Sequence, residues 1–404
     1  MDSILVKIEQ YLLLNYQSVI YLLVIVACVC LFSLYYLRWR DYLLPVVLWK
    51  KAKALVNDPL PKMSVVVPTN NQVEQLAERL PLLLGQDYPD YEIIVVDEAS
   101  TDGTKELVEQ LQLRFRNLRY TFVPASATEI CRRKLAITLG IRAARSEWVA
   151  ITTPAAVPVS HVWLKTLSES ITAQTDIIVG YANYKDNGSH YAQRAVFERL
   201  HLLLRCFRSA NGYGCMGGAE TNFCIRKAAF MAHKGYADNL NVSFGESHLL
   251  IDSLSTPLNV SVAVGEKAKV LEDLPAYEVW NNLRCYYREV LHHSSRCAHY
   301  YLWREGVASM SLYLFLLVQL AYIGLRSLQI GFYHDFVPFS LIVDLVMLLG
   351  LLIYLILPIF MLRQSCKILG ERPFGLRLIG YSLSHPFVNG YLKLKRRKMV
   401  RELF

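Results

Sequence analysis

Three apolar stretches, each about as long as a bilayer is thick, limit what this chain can fold into. Residues 18–37 contain no charged side chain, and a helix needs roughly 20 such residues to cross the hydrocarbon core. Two similar stretches lie near the C-terminal end, at residues 307–325 and 339–362. We therefore predict transmembrane helices at both ends of the chain, with a folded domain between them.

A cleaved signal peptide is the alternative for residues 18–37. Its apolar run is too long for that, and Arg38 and Arg40 follow it in place of a small-residue cleavage site. Basic residues are also dense after residue 362, whereas the connection at 326–338 has one arginine and no lysine. The positive-inside rule then predicts a multi-pass membrane protein, with the N-terminus outside and the middle domain and tail in the cytoplasm.

The formal net charge of +9 comes largely from basic residues beside the apolar stretches. Anionic lipid headgroups are therefore better partners for these charges than nucleic acid. The nine cysteines include no Cys-x-x-Cys pair, and Cys28 and Cys30 lie inside the first apolar stretch. They indicate reduced cytosolic thiols and no zinc site. Asp344 lies inside the third stretch, where a carboxylate marks either a functional position or a hydrated interfacial one.

Strand-like and helix-like segments alternate in the middle of the chain. Short runs of branched apolar residues predict strands at 63–67, 92–96, 120–123, 148–152 and 176–179. Apolar residues at helical spacing predict helices at 73–84, 104–115, 128–144 and 160–172. This alternation indicates an α/β domain with a mostly parallel sheet and helices on both faces. Ligands of such sheets bind beyond the carboxyl ends of the strands, where Pro68, Asp97 and Thr153 fall.

Residues 64–104 resemble the opening of a family 2 glycosyltransferase domain. The specific parts are the strand ending in Pro68, Gln-Asp-Tyr-Pro at 86–89, and Val-Asp-Glu-Ala-Ser-Thr-Asp-Gly-Thr at 96–104. The resemblance covers about residues 62–300 and implies a Rossmann-like GT-A fold and a nucleotide-diphosphate-sugar donor. The membrane layout also resembles that of bacterial members of the family, which implies a location in the bacterial inner membrane. The predicted organisation is an anchor and linker, a glycosyltransferase-like domain, two transmembrane helices and a basic tail, at 1–61, 62–300, 301–362 and 363–404.

The resemblance implies a nucleotide-binding set at the strand ends. Its members are Pro68, Asp97, Glu98, Asp102, Arg133 and Lys134. Asp97 would accept hydrogen bonds from the uracil imide and a ribose hydroxyl, and Asp102 would support the turn. The alternative for this acidic segment is that it only caps the next helix. Lys134 and Arg133 would meet the diphosphate, or else form an exposed basic helix start.

The metal-binding element of the family has lost its charge in this chain. Where the family has Asp-x-Asp, this chain has Thr153, Pro154 and Ala155. Magnesium or manganese normally neutralises the diphosphate leaving group, and oxygen ligands must hold it. These ligands are missing, so no metal site is predicted, and arginine or lysine would have to meet the phosphate charge.

The element that carries the general base is also altered. The family has Glu-Asp there, and its Asp deprotonates the acceptor hydroxyl; here Glu246 is followed by Ser247. A serine of ordinary pKa cannot be a general base, which leaves Glu246 or His248 as catalytic candidates. The segment 217–230 resembles the acceptor-side segment, with its backbone role kept. The Gln-x-x-Arg-Trp element has only a poor counterpart at 289–293, where an amphipathic interfacial helix is the simpler interpretation.

Two hypotheses follow from a scaffold that has lost three charged motifs. The first is a weak or inactive pseudo-glycosyltransferase of envelope polysaccharide or glycolipid assembly, which would act as a partner of an active glycosyltransferase or another assembly protein. The second is an active, metal-independent, inverting glycosyltransferase with a lipid or polysaccharide acceptor. The sequence identifies neither the sugar nor the acceptor.

Overall fold

The computed structural model describes residues 2–52, 60–126, 130–332 and 338–403. The strands in chain order are β1 (Met63–Thr69), β2 (Tyr91–Asp97), β3 (Leu118–Phe122), β4 (Trp148–Ile151), β5 (Ala156–Pro158), β6 (Ile177–Gly180), β7 (Ala182–Tyr184), β8 (Phe223–Arg226), β9 (Val260–Ala263) and β10 (Val270–Glu272). The helices are α1 (Asp2–Leu34), α2 (Arg40–Tyr42), α3 (Leu44–Ala52), α4 (Val73–Leu84), α5 (Thr104–Gln112), α6 (Arg132–Ala143), α7 (Trp163–Ser168), α8 (His190–Ala210), α9 (Lys227–Ala232), α10 (Glu246–Leu254), α11 (Tyr277–Val290), α12 (Arg296–Phe332), α13 (Pro338–Ile368) and α14 (Arg377–Leu403).

A seven-stranded sheet in the order β3-β2-β1-β4-β8-β6-β9 forms the centre of the domain. The neighbouring pairs among β3, β2, β1 and β4 are parallel, whereas β8 runs antiparallel to both β4 and β6. Every residue of β1 is buried, which explains why this strand is apolar without alternation. The predicted α/β class with a mostly parallel sheet is confirmed.

The register of the sheet places the candidate residues at one edge. Thr69 at the end of β1 lies opposite Asp97 at the end of β2. Strand β4 is the other neighbour of β1 and ends at Ile151, directly before the degenerate metal segment. A small sheet, β5-β10-β7, follows this segment, with β5 antiparallel to β10.

Some predicted element boundaries are wrong by several residues. The helix predicted at 128–144 begins at Arg132, because Cys131 has extended backbone angles, and residues 127–129 lie outside the described chain. The helix predicted at 160–172 is only Trp163–Ser168, and its remaining residues form turns.

Helices long and apolar enough to cross a membrane lie at both ends, as predicted. They cover Ser18–Tyr42, Arg296–Ser327 and Leu341–Ile368, longer than the three apolar stretches of the sequence. The extra length carries polar residues that face one another. Arg38 Nη2 donates to Glu305 Oε1 at 2.6 Å and to Ser309 Oγ at 2.8 Å. Such pairing allows charged side chains to lie within an apolar helix bundle.

Asp344, inside the third of these helices, also has a charged partner. Arg326 of α12 donates from Nη2 to Asp344 Oδ2 at 2.9 Å, and the Tyr322 hydroxyl donates to the same carboxylate. The carboxylate therefore joins α12 to α13, and in this arrangement it is part of an interhelical contact.

The loop after α13 docks into the glycosyltransferase-like domain. Glu371 Oε1 accepts hydrogen bonds from Lys269 Nζ at 2.8 Å, Tyr181 Oη at 2.9 Å and Asn183 Nδ2 at 3.0 Å. Lys269 also donates to the Gly370 carbonyl at 2.9 Å. The side chains of Lys269 and Glu371 are each only 6% exposed. We call these four side chains and Gly370 the docking cluster; it ties the last candidate span to β7 and to the residue before β10.

Candidate functional site

Asp97 ends β2 with both carboxylate oxygens already in use. Oδ1 accepts from the backbone N–H of Ser100 at 2.9 Å, and Oδ2 accepts from the Tyr120 hydroxyl at 2.9 Å. The residue is 4% exposed. Because each carboxylate oxygen has a second lone pair, these bonds orient the group without exhausting it. Asp97 thus holds the turn, and its role toward a nucleoside stays a prediction.

Arg133 bridges the ends of the first two strands. Its Nη1 donates to the Glu98 carboxylate at 2.7 Å and to the Pro68 carbonyl at 2.7 Å. The Arg133 side chain remains 27% exposed, whereas the Glu98 side chain is 9% exposed. The structure therefore brings three predicted nucleotide-binding residues together, with a partly accessible guanidinium at the open edge.

Asp102 joins the beginnings of two helices. Its Oδ2 accepts from the backbone N–H of Val73, the first residue of α4, at 2.8 Å. Its Oδ1 accepts from the hydroxyl of Thr104, the first residue of α5, at 2.6 Å. Partial burial acts to raise the pKa of Asp102, but these hydrogen bonds outweigh it and hold the pKa below its ordinary value. These contacts are those of a turn-supporting residue, and a nucleotide contact for Asp102 stays a prediction.

The structure excludes an exposed setting for Lys134, whereas its contact with a diphosphate stays a prediction. The residue is fully buried, and Nζ donates to the carbonyls of Asn239 at 2.8 Å and Val242 at 2.7 Å. It therefore holds the loop that precedes α10, and it is not part of an exposed basic helix start. A contact with a diphosphate would require these two hydrogen bonds to break.

A cluster of acidic and histidine side chains lies at the beginning of α10. Glu220, in the loop before β8, accepts from the backbone N–H of Ser247 at 3.0 Å through Oε2. Its Oε1 lies 3.3 Å from Nδ1 of His248. Ser247 Oγ donates to the Gly218 carbonyl at 2.9 Å. We call Glu220, Glu246 and His248 the carboxylate cluster; sequence reasoning named the last two and missed Glu220.

The two carboxyl groups of this cluster, those of Glu220 and Glu246, have pKa values shifted in opposite directions. Burial, reinforced by the charge of Glu220, raises the pKa of Glu246 to about 8. Burial also acts to raise the pKa of Glu220, but hydrogen bonds from His248 and the Ser247 backbone outweigh it and lower the pKa of Glu220 below its ordinary value. Near neutral pH, Glu246 is therefore the protonated carboxyl and Glu220 the ionised one.

His248 is packed tightly beneath the cluster. Its ring contacts Tyr287 edge-on, with centroids 4.6 Å apart. A Cβ at Gly217 would lie 2.2 Å from Cδ2 of the ring, so only glycine allows this approach. Within the described part of the chain, Nε2 is buried and has no hydrogen-bond partner. The side chain is 6% exposed, which shields the imidazole from a bulky acceptor.

Residues 64–232 match the family model of glycosyl transferase family 2. This segment is a family 2 glycosyltransferase domain. The match begins at β1 and ends with α9, so it includes Asp97, Arg133 and Glu220 but stops before Glu246. Together with the strand order, it confirms the predicted GT-A fold.

Relatives of the domain are glycosyltransferases of different lengths. Chondroitin synthase of Escherichia coli is 29% identical over 140 residues, which are 34% of this chain and 19% of that protein. Glycosyltransferase AglE of Haloferax volcanii is 41% identical over 61 residues, 15% of this chain and 20% of that protein. The GalNAc(5)-diNAcBac-PP-undecaprenol beta-1,3-glucosyltransferase of Campylobacter jejuni has the same identity and coverage. The matched segments thus span about a fifth of the length of these relatives.

Among solved structures, the mannosyltransferase PcManGT from Pyrobaculum calidifontis, in complex with GDP-Man and Mn2+, aligns with a TM-score of 0.49. Its sequence identity is 16%, and the alignment covers 84% of this chain and 98% of that one.

An arginine lies beside the segment that carries a metal in family 2 domains. Arg79 Nη1 donates to the Pro154 carbonyl at 3.0 Å, and its Nη2 pairs with Asp273. Thr153 and Ala155 offer no carboxylate, and the described residues contain no group of three or more His, Cys, Asp or Glu side chains that could hold a metal ion. These residues do not fit a magnesium or manganese site, so we derive no step through a metal.

The counterpart of the Gln-x-x-Arg-Trp element lies at the end of α11. The helix ends at Val290 and continues into a 3-10 turn, Leu291–His293. The side chains of Glu289 and His292 lie outside the described part of the structure. Trp280, near the beginning of α11, is 5% exposed and stacks on the guanidinium of Arg284 at 4.1 Å. The interfacial role of this helix stays a prediction.

Proposed function

We propose that this protein is a membrane-anchored, metal-independent, inverting glycosyltransferase. It would move a sugar from a nucleotide-diphosphate donor to a lipid or polysaccharide acceptor during assembly of the cell envelope. The family 2 domain supports the reaction class. Relatives named chondroitin synthase and a PP-undecaprenol glucosyltransferase support the class of acceptor.

One observation carries this proposal: the donor-side residues and the carboxylate cluster meet at the beginning of α6. Arg133 is bonded to Glu98 at the ends of β1 and β2. Two residues earlier, the Cys131 thiol lies 3.9 Å from Glu246 Oε1. Glu246 in turn interacts with the ionised Glu220. A nucleotide on the strand ends would therefore lie close to a cluster with one member that can take a proton, as direct displacement at an anomeric carbon requires.

The chain offers a chemically complete set of roles without a divalent cation. Asp97 would accept hydrogen bonds from the nucleoside, and the exposed part of the Arg133 guanidinium would face the diphosphate. Guanidinium groups bind phosphate oxygens well because their N–H donors form a planar fork. The acceptor hydroxyl would lose its proton to the carboxylate cluster while it attacks the anomeric carbon, and the configuration would invert.

An inactive partner protein is the second candidate, and the degenerate metal segment favours it. Thr153, Pro154 and Ala155 supply no negative charge, and the Pro154 carbonyl is already bonded to Arg79. A domain that keeps its fold without turnover could act as a scaffold for an active glycosyltransferase. The experiment that follows separates the two candidates.

Purified protein in detergent is expected to bind a nucleoside diphosphate equally well with and without a chelator. Replacing Asp97 with asparagine should weaken that binding by at least tenfold, because one carboxylate charge and its acceptor capacity are lost. The measurement is calorimetric titration with UDP and GDP, followed by a sugar-release assay with the matching nucleotide-sugars. Glu109→Gln is the matched control, since its side chain is 56% exposed on α5.

Turnover that survives EDTA would support the active enzyme. Binding without turnover of any nucleotide-sugar would support the inactive partner. If neither UDP nor GDP binds, or if binding appears only with magnesium or manganese, the metal-independent donor site is wrong.

The same proposal places the domain in the cytoplasm of a bacterium, with three membrane spans. The three apolar helices and the basic residues beside them support this orientation. In spheroplasts, an externally added protease should therefore leave residues 62–300 intact and should digest them only after the membrane is permeabilised. Digestion of the domain in sealed spheroplasts would reverse the orientation.

A further inference from the structure

We propose that Glu220 is the group that takes the proton from the acceptor hydroxyl, in place of the aspartate that Ser247 replaces. This inference rests on the proposed function and assigns a residue that lies 27 positions away in sequence. It makes Glu220 a catalytic residue and gives Glu246 and His248 supporting roles.

The position of the Glu220 carboxylate is the first argument. Its Oε2 lies 3.0 Å from the backbone nitrogen of Ser247. The side chain of residue 247 points to the Gly218 carbonyl, two residues before Glu220. An aspartate there and the Glu220 carboxylate would therefore both lie at the beginning of α10. The glutamate therefore returns a carboxylate to the part of the site where the serine has removed one.

Accessibility is the second argument, because it separates the two partly exposed carboxyl groups of the cluster from the buried histidine. The side chain of Glu220 is 34% exposed, whereas that of His248 is 6% exposed. Glu246 directs its Oε1 toward the Cys131 thiol, and burial keeps it protonated near neutral pH. Of the three, only Glu220 is both ionised and open to an incoming hydroxyl.

The hydrogen bonds around Glu220 are those of an oriented proton acceptor. The N–H of Ser247 donates to Oε2, and the imidazole of His248 approaches Oε1 at 3.3 Å through Nδ1. These two bonds leave two lone pairs of the carboxylate. Glu246 interacts with Glu220 by a side-chain hydrogen bond. If its carboxyl donates to one of these lone pairs, a single oriented lone pair is left for the acceptor O–H.

The step balances without a further reactant. The acceptor oxygen forms a bond to the anomeric carbon as its proton passes to Glu220. The bond from that carbon to the diphosphate oxygen breaks, and its electron pair leaves with the nucleoside diphosphate. Glu220 then returns the proton to solvent through its exposed side.

A rescue experiment tests this assignment. In a sugar-transfer assay with the nucleotide-sugar that binds, Glu220→Gln should lower kcat by about 10²–10⁴-fold, the usual effect of losing a general base. The Kd for the nucleoside diphosphate should not change, because Glu220 lies on the acceptor side. The double variant Glu220→Gln/Ser247→Asp should recover at least tenfold of the lost kcat, since it restores the carboxylate at residue 247. Glu246→Gln should cost less than Glu220→Gln.

The control is Glu106→Gln, an exposed carboxylate on α5 whose loss should leave kcat unchanged. A Glu220→Gln protein that keeps its kcat within threefold would overturn the assignment. A wild-type protein that binds nucleotide but shows no turnover would also overturn it. This holds whether or not Ser247→Asp alone creates activity. Loss of nucleotide binding in Glu220→Gln would give the residue a structural role and also overturn it. Failure of the wild-type protein to bind UDP or GDP is different, because it removes the proposed function itself.

Discussion

Replacing Glu371 with leucine is expected to lower the free energy of unfolding by about 3–5 kcal/mol, the usual cost of removing one partner from a buried ion pair. The reason is the docking cluster, in which Glu371 accepts from Lys269, Tyr181 and Asn183. Leucine would leave a buried ammonium group without its counter-charge. The measurement is the thermal unfolding midpoint of the detergent-solubilised protein.

The double variant Glu371→Leu/Lys269→Met provides the control for this prediction. It removes both charges, so it should be clearly more stable than Glu371→Leu alone. The exposed carboxylate Glu78, which is 72% exposed, offers a matched single substitution that should shift the midpoint very little. If Glu371→Leu unfolds at the wild-type midpoint, the loop does not dock as described.

Replacing Lys134 with methionine is expected to destabilise the domain by about 2–5 kcal/mol, because two charge-assisted hydrogen bonds are lost and two partly buried carbonyls lose their donor. Those carbonyls belong to Asn239 and Val242. The loop they hold leads into the carboxylate cluster, and Cys131 N–H also donates to its Leu240 carbonyl at 2.9 Å. The loop should therefore loosen, and its protection from hydrogen exchange should fall.

Nucleotide affinity decides what Lys134 does. If Lys134 has only a structural role, Lys134→Met should lower the unfolding midpoint. Its affinity for UDP or GDP, measured at a temperature well below that midpoint, should stay within about threefold of wild type. Lys165→Met, on the exposed face of α7, is the control for loss of a lysine charge. If Lys134→Met has a wild-type unfolding midpoint but a much lower affinity for UDP or GDP, then Lys134 contacts the diphosphate.

The sequence predicted the central sheet because its strands are buried on both faces. β1 and β2 therefore appear as uninterrupted apolar runs, and such runs with a helical segment between them are joined as parallel strands by a crossover helix. The same argument placed Asp97 at the strand ends, and register pairing puts it opposite Thr69. The local sequence pattern was enough to predict those parts of the site whose residues are close together in the sequence.

Local sequence patterns could not predict contacts between segments that are far apart in the chain. Lys134 finds its acceptors 105 and 108 residues away, and Glu220 meets Ser247 across 27 residues. The local motif shows only that Ser247 stands where the family has an aspartate, and it contains no information about a carboxylate from another loop. One sequence signal could have identified Glu220, because it is a charged residue directly after the glycine-rich residues 217–219.

The docking cluster also has a consequence for how the protein is made. Residues 181, 183 and 269 leave the ribosome about one hundred residues or more before Glu371 does, since their sequence separations from it are 190, 188 and about 100 positions. Until the last apolar helix has been synthesised, the growing domain carries an uncompensated lysine beside its small sheet. The contribution of this ion pair to the stability of the domain is therefore available only after residue 371 has left the ribosome.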